Sequence, residues 1–365
     1  MIDKLEILEK KDPTEYWSIL NKLKTMDDDT RVNPIPMEEW VQYCSKLLGT
    51  PNIDKNRADY VKELLEIHKR DPYFSELDYS ITQTEVIKAI KSLKRGKAVG
   101  IDNISNEMII SSIDVLPSLY QKIFNSILCN RYYPQLWKVG IISNLYKAGD
   151  PTDASNYRGL TINSCLGKVF NTILNNRLET FLASKNMIHS TQIGFKKDAR
   201  TSDHIFIVNA LIRNALRSKS KLVMCFIDFK KAFDTVWHDA LFLKLLQSGI
   251  GGNFFHTIED MYRNGHVHIK KNGLLSQRIP CQIGVRQGDA LSPKLFNIFI
   301  NDLPNCFMDS SDCPTLANKS VKCLLYADDL IIFSESICGM QQKLNSLHSY
   351  CQNWGLEINI KKARL

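Results

Sequence analysis

The sequence predicts an α+β fold, and three features of the chain support this class. Helical periodicity and strand-like apolar runs are mixed along the 365 residues, without the regular strand–helix alternation of a doubly wound sheet. The pair Asn272-Gly273 separates two short strand-like runs, which predicts a β-hairpin. The run "LLYADDLIIF" at 324–333 has the composition of a buried strand but carries two adjacent acids.

Composition limits the classes of protein that fit. A hydrophobic fraction of 44% allows a full core, and the length indicates two or three domains. We find no run of roughly 18 apolar residues and no apolar segment in the charged N-terminus, so we expect neither a membrane span nor secretion. The ten scattered cysteines then indicate reduced thiols in an intracellular protein, nuclear or cytoplasmic or both. A net charge of +8 is weakly indicative of a polyanionic partner.

The N-terminal half is predicted to be mainly helical. Residues 1–75 are charged and broken by prolines. A helix then opens with the capping box Thr82-x-x-Glu85. Its apolar stripe is Val86, Ile90 and Leu93. A second helix near 115–130 is expected to bury Leu119, Ile123 and Ile127.

The remaining elements follow from apolar periodicity and from breaks at Gly and Pro. Strands are expected at 138–146, at 221–228 (where "KLVMCFIDF" ends in Asp228), at 266–275 around the Asn-Gly turn, and at 324–333. Helices are expected near 164–183, 239–248 and 253–263, after Pro293, and near 338–354.

The acids in these strands point to metal chemistry. Asp228 ends one strand, and Asp328 with Asp329 sits at the turn of a predicted hairpin. If the two strands are neighbours, three carboxylates converge, and their repulsion calls for hard divalent cations. Two such ions would form a clamp for phosphoryl transfer. The plain alternative is a polar turn and a solvated strand end, and for an isolated Asp-Asp pair we would favour it.

Longer motifs identify a resemblance. The segments "FIDFKKAFDTVWH", "GVRQGDALSPKLFNIFINDL" and "LLYADDLIIF", in this order, resemble three core motifs of reverse transcriptases of the non-LTR (LINE-type) retrotransposon branch. "LYKAGDPTDASNYRGLTINSCLGKVFNTILNNRL" and "IGFKKDARTSDHI" resemble its fingers motifs, and "KRGKAVGIDNISNEMI" its N-terminal extension. The resemblance covers residues 80–362, about three quarters of the chain.

The resemblance implies an architecture and an activity. It implies the fingers and palm of a right-hand polymerase with a helical N-terminal extension. The expected divisions are a charged linker or helical region at 1–75, the extension at 76–135, fingers at 136–220, and a palm with interleaved fingers segments at 221–365. The implied activity is RNA-directed DNA polymerisation on an RNA template with a DNA primer and dNTPs. The likeness ends soon after the palm, so we expect a missing or vestigial thumb and a fragment of a longer protein or a truncated copy.

The resemblance also implies roles for single residues. Asp228 and Asp328 match the ligands of two Mg²⁺ ions (Mn²⁺ is a possible substitute), Asp329 matches the supporting acid, and the carbonyl of Phe229 matches a further ligand. Lys362 matches a lysine that protonates the departing pyrophosphate. Its alternative is an ordinary solvated lysine.

Five further residues match the binding site for the incoming dNTP. Arg158 matches the arginine that grips the triphosphate, and Lys147 would be a second phosphate contact. Phe233 matches the bulky residue that excludes a ribose 2′-hydroxyl, although by pattern alone it reads as a core aromatic. Gln287 matches the glutamine that lines the pocket, and Gly288 lets the backbone approach the base pair.

Two other functions stay open at this point. An RNA-dependent RNA polymerase would use the same carboxylates, but the ring of Phe233 argues against ribonucleotides. A non-enzymatic chain that binds nucleic acid without extending it is the third reading. Primer extension with deoxynucleotides and with ribonucleotides separates the three.

Overall fold

The computed structural model describes residues 33–307 and 312–364, which form a mixed arrangement of helices and sheets. The predicted α+β class is therefore confirmed. The first 32 residues of the expected N-terminal region lie outside the described part of the chain. The helices are α1 Met37–Leu47, α2 Lys55–His68, α3 Gln83–Lys91, α4 Asn106–Ser111, α5 Pro117–Asn130, α6 Cys165–Ser184, α7 Thr201–Ser218, α8 His238–Gln247, α9 Gly252–Tyr262, α10 Ser292–Phe299 and α11 Ile337–Trp354.

Ten strands are described in this part of the chain, in three sheets. They are β1 Val139–Tyr146, β2 Tyr157–Ile162, β3 Val223–Asp228, β4 His266–Lys271, β5 Leu274–Leu275, β6 Ile279–Pro280, β7 Thr315–Leu316, β8 Lys319–Ser320, β9 Cys323–Tyr326 and β10 Asp329–Ser334. None of the described helices is both long enough and apolar enough to span a bilayer.

The first sheet has the order β2-β1-β4-β5, with β6 also pairing with β4. β1 and β2 are antiparallel, and Leu145 lies opposite Arg158 near their shared tip. Helix α1 covers one face of this sheet and inserts Trp40, which is 1% exposed and meets the ring of Tyr157 edge-on. Truncating a fully buried aromatic of this size costs roughly 3–5 kcal/mol, so α1 is an integral part of this layer.

The second sheet has the order β3-β10-β9 and carries the predicted acids at one end. Its strands alternate as expected for a sheet with one buried face: Cys225 and Ile227 are buried, whereas Phe226 is 44% exposed. Helix α11 packs against β3 and β10. On its other side β3 pairs with the segment 357–364, through Phe229 with Ile358 and Phe226 with Arg364.

Helices α3 and α4 pack against α6. The predicted capping box is present: Thr82 accepts a hydrogen bond from the backbone of Glu85, whose carboxylate accepts one from the backbone of Thr82. The guanidinium of Arg177 on α6 holds both oxygens of Glu85, at 2.6 and 2.9 Å. This fork–fork contact joins the start of α3 to α6, the helix that follows β2.

The predicted buried face of α5 was wrong. Leu119 and Ile123 are 48% and 39% exposed, and of the expected stripe only Ile127 is buried. The helix buries Tyr120 and Phe124 instead. Both faces are apolar, and the face with the larger aromatic area is the one that packs on the core.

Other expectations were met closely. Asn272 and Gly273, both at positive φ, form the two-residue turn between β4 and β5. Helix α11 ends at Gly355 in the left-handed conformation. The sequence analysis did not single out α1, α2, β2 or α7.

Candidate active site

The strand register brings the predicted acids together. Antiparallel pairing of β3 with β10 places Asp228 directly opposite Asp329. The β9–β10 hairpin pairs Tyr326 with Asp329, so its two-residue turn consists of Ala327 and Asp328. All three predicted carboxylates therefore converge at one end of the second sheet.

Like charges and burial act on these acids. Burial is the larger cause that raises the pKa of Asp328, and the charges of Asp329 and Asp228 raise it further. The pKa of Asp329 is raised by burial and then by the charge of Asp228. In both cases Lys362 opposes the rise. Such a cluster favours a bound cation, because a cation relieves the repulsion.

The segment 357–364 supplies the positive side of this cluster. The ammonium of Lys362 lies 3.1 Å from Oδ2 of Asp228. Asn359 donates to the same oxygen through Nδ2 at 2.9 Å, and its backbone N–H donates to the carbonyl oxygen of Asp228 at 2.8 Å. The structure thus brings the predicted Lys362 to the acids, together with an asparagine that the sequence analysis missed.

The donor set fits a hard divalent cation, although the side chains are not closed around one. Among residues 33–307 and 312–364, no three His, Cys, Asp or Glu side chains form a ready metal-binding group. Carboxylate oxygens that raise one another's pKa are nevertheless the ligands that Mg²⁺ and Mn²⁺ prefer. The ammonium of Lys362 is the cation that contacts Asp228 in this arrangement.

Cationic residues from the first sheet lie near a second, separate acid. Arg158 and Lys147 are both exposed at the tip of the β1–β2 hairpin. Nε of Arg158 donates to Oε1 of Gln287 at 3.3 Å, and Nε2 of Gln287 donates to Oδ1 of Asp234 at 2.6 Å. Gln287 therefore links an exposed guanidinium to an acid beside Phe233.

Asp234 is a charged residue that the sequence analysis passed over. Burial raises its pKa, while Gln287, Lys231, Arg158 and Lys147 all act in the opposite direction. Its side chain is held in place by the hydrogen bond from Gln287. The signal that could have found it is its place next to Phe233 in a strand-to-helix connection.

Phe233 and Gly288 complete the predicted nucleotide residues. The ring of Phe233 stacks on Phe296, with centroids 4.5 Å apart, and meets Phe195 edge-on at 6.1 Å. It is only partly buried, and it packs against the hydrophobic core. Gly288 has φ +93°, a conformation that side chains other than glycine rarely adopt.

A comparison with protein families adds to this geometry. The family model described as reverse transcriptase (RNA-dependent DNA polymerase) matches residues 146–365. That match covers more than half of the chain and includes both strands that bear the acids. The chain belongs to the reverse transcriptase family.

Several curated proteins are similar to this reverse transcriptase. The RNA-directed DNA polymerase from mobile element jockey of Drosophila melanogaster is 29% identical over 366 residues, which cover 95% of this chain and 39% of the relative. A probable RNA-directed DNA polymerase from transposon BS of the same fly is 29% identical over 76% of this chain and 31% of the relative. A Pol polyprotein from a type-1 R2 retrotransposable element of Popillia japonica is 26% identical over 78% and 39%.

These matches confirm the predicted LINE-type resemblance. This reverse transcriptase chain spans between three and four tenths of the length of those relatives.

Proposed function

We propose that this chain carries RNA-directed DNA polymerase activity, in which a primer 3′-hydroxyl attacks the α-phosphate of a dNTP on an RNA template. One observation carries the proposal: in a reverse transcriptase chain, Asp228 lies opposite Asp329, with Asp328 in the adjoining turn. In this proposal the first sheet belongs to the fingers and the β3-β10-β9 sheet to the palm.

The acids are assigned to metal binding. Asp228 and Asp328 would hold two Mg²⁺ ions, with Mn²⁺ as a possible substitute; Asp329 supports them and the carbonyl of Phe229 is a further ligand. When bound, such ions steady the attacking and leaving oxygens of the displacement. The fixed register of β3 and β10 means that the chain itself pre-organises the carboxylates, so little reorganisation is needed during reaction.

The exposed cations are assigned to the triphosphate. Arg158 presents its terminal nitrogens while Nε stays on Gln287, which suits bidentate contact with phosphate oxygens. Lys147 adds a second positive charge at the same hairpin tip. Lys362 is assigned the transfer of a proton to the leaving pyrophosphate, and its 3.1 Å contact with Asp228 supports this role.

The remaining assignments concern the choice of nucleotide. Phe233 is held by its stack on Phe296, so its ring cannot easily turn away from a sugar. A fixed ring that meets a ribose 2′-hydroxyl selects deoxynucleotides. Gln287, which is held between Arg158 and Asp234, is assigned to the lining of the nucleotide pocket. Gly288 is assigned to leave room for the base pair.

The partners that we propose are an RNA template, a DNA primer and dNTPs, and the location that we propose is intracellular. The net charge of +8 favours contact with phosphate backbones over contact with base edges. Binding to the duplex should therefore fall steeply with salt and depend little on sequence.

Primer extension tests the proposal. The purified chain is given an RNA template, a DNA primer, Mg²⁺ and dNTPs, beside Asp328→Asn and the exposed control Asp114→Asn. We expect extension by the wild type and the control, and a loss of several orders of magnitude in Asp328→Asn. Near-normal extension by Asp328→Asn would contradict the assignment, and equal use of ribonucleotides would favour an RNA polymerase instead.

A further inference from the structure

The turn that carries Asp328 has a backbone that its residues do not favour. Ala327 has φ +54°, in the left-handed region that side chains other than glycine rarely occupy. Asp328 follows it directly, so any relaxation of Ala327 moves the acid. A turn of this kind persists when its surroundings hold it in place.

Gln192 makes such contacts with the main chain of Ala327. Its side chain is 1% exposed, and Oε1 accepts hydrogen bonds from the backbone N–H of Ala327 at 3.0 Å and of Gly194 at 2.8 Å. On the other side of the amide, Nε2 donates to the carbonyl oxygen of Ala327 at 3.1 Å. One buried amide thus satisfies both backbone groups of the strained residue.

The segment that bears Gln192 is itself fixed beside β9. The backbone N–H of Leu325 donates to Thr191, and the N–H of Ile193 donates to the carbonyl of Leu325, at 2.9 and 3.0 Å. The side chain of Asn297 on α10 donates to the carbonyl oxygen of Gly194 at 2.8 Å. The segment that bears Gln192 is therefore anchored to β9 and α10 independently of the turn at Ala327.

Gly194 is required for this close approach. A Cβ at this position would lie 2.1 Å from the backbone nitrogen of Ala327 and 2.9 Å from its Cα. Neither of these is the end of a flexible side chain, so any larger residue would push the turn itself. The glycine and the amide act on the same point of the hairpin.

We propose that Gln192 and Gly194 form a positioning brace, which holds Ala327 in its left-handed conformation and thereby fixes Asp328. The effect on catalysis rests on the proposed function; the effect on the turn does not. In this proposal the brace acts on the rate through the placement of Asp328. All three hydrogen bonds of the Gln192 amide go to main-chain groups, and two of them go to Ala327.

The test removes the amide and then removes the strain. Gln192→Leu keeps the apolar volume but loses the three hydrogen bonds, and we expect kcat to fall by roughly 100-fold with the KM for dNTP nearly unchanged. Adding Ala327→Gly should recover at least roughly tenfold of that loss, because glycine adopts φ +54° without a steric cost. A purely packing role for Gln192 would not be rescued by a change in the turn.

The control is Gln121→Leu, which removes a partly buried amide that donates to the carbonyl of Ile81 away from the acids. We expect it to leave kcat unchanged.

Hydrogen exchange of the peptide 324–330, followed by mass spectrometry, gives a readout that needs no activity. Exchange in this peptide should be faster in Gln192→Leu and unchanged in Gln121→Leu.

The outcomes separate the brace from the proposed function. Wild-type kcat in a folded Gln192→Leu chain, when Asp328→Asn is inactive, would overturn the brace and leave the function standing. Failure of Ala327→Gly to restore any rate would also overturn it. If the wild type extends no primer, the function fails, and unchanged exchange at 324–330 in Gln192→Leu would overturn the brace separately.

Discussion

Replacing Lys362 by glutamine should tighten the binding of divalent cations at the acids. The ammonium of Lys362 lies 3.1 Å from Oδ2 of Asp228, and a metal ion must compete with it for that carboxylate. Coulomb's law gives about 1.3 kcal/mol for two unit charges at this distance in bulk water. The lysine side chain is 67% exposed and Asp228 is 25% exposed, so measured surface pairs are the better guide, at roughly 0.2–1 kcal/mol.

That range corresponds to a roughly 1.4- to 5-fold gain in affinity, because about 1.4 kcal/mol is a factor of ten. The assay is a titration with Mn²⁺, in which the electron paramagnetic resonance signal reports the free ion. Lys361→Gln is the matched control, since it makes the same charge change in the same exposed segment. The gain should shrink as salt is added, because salt screens exposed pairs.

If Lys362→Gln binds Mn²⁺ no more tightly than Lys361→Gln, the ammonium of Lys362 does not compete with the metal. Turnover should change in the opposite direction to metal affinity. If Lys362 protonates the pyrophosphate, its loss should slow extension by roughly 10²- to 10⁴-fold despite the tighter metal. If Lys362→Gln binds Mn²⁺ more tightly but extends primers at an unchanged rate, Lys362 competes with the metal ion but is not the proton donor.

Three more predictions concern the pocket, the carboxylate and the core. Phe233→Val should raise ribonucleotide incorporation relative to deoxynucleotides, measured as a ratio of kcat/KM; an unchanged ratio would make the ring a core aromatic only. Asn359→Ala should weaken Mn²⁺ binding by roughly tenfold, because a partner that orients Asp228, the proposed metal ligand, is lost, while the exposed control Ile360→Ala should not. Burial lowers the pKa of His238 from 6.5 to about 4. Between pH 6.5 and about 4 the unfolded chain therefore binds a proton at this residue and the folded chain does not, so the free energy of unfolding should fall by about 3 kcal/mol over this range. Urea unfolding of His238→Gln should show a correspondingly shallower pH dependence.

Local patterns in the sequence predicted much of the fold. The capping box at Thr82 and the glycine at 355 mark helix ends through local interactions, which involve only residues close together in the sequence. The two acids inside an apolar run marked the hairpin, because only a turn or a strand end can carry them. Helix α5 shows the limit of periodicity. It has two apolar faces, and which of them is buried depends on the tertiary contacts of the helix, which its own sequence does not show.

The site could be predicted only in part. The carboxylates stand out because burial of an acid is costly, but their alignment depends on the register of β3 with β10. Asn359 and Gln192 lie 131 and 135 residues from the groups that they hold. An amide has no charge and no characteristic spacing, so nothing near it in sequence shows which distant carboxylate or turn it will meet.

The pairing of β3 with both β10 and the segment 357–364 has a consequence for biosynthesis. Asp228 is synthesised before its partners on either side, because Asp329 follows about a hundred residues later and Asn359 follows 131 residues later. Closing such long loops is entropically costly, and it comes after the local helices have formed. A chain synthesised only as far as β9 would lack Asp328, Asp329 and strand β10, so Asp228 would be without the other two carboxylates. The carboxylate cluster would then form late in folding, only after β9 and β10 have been synthesised.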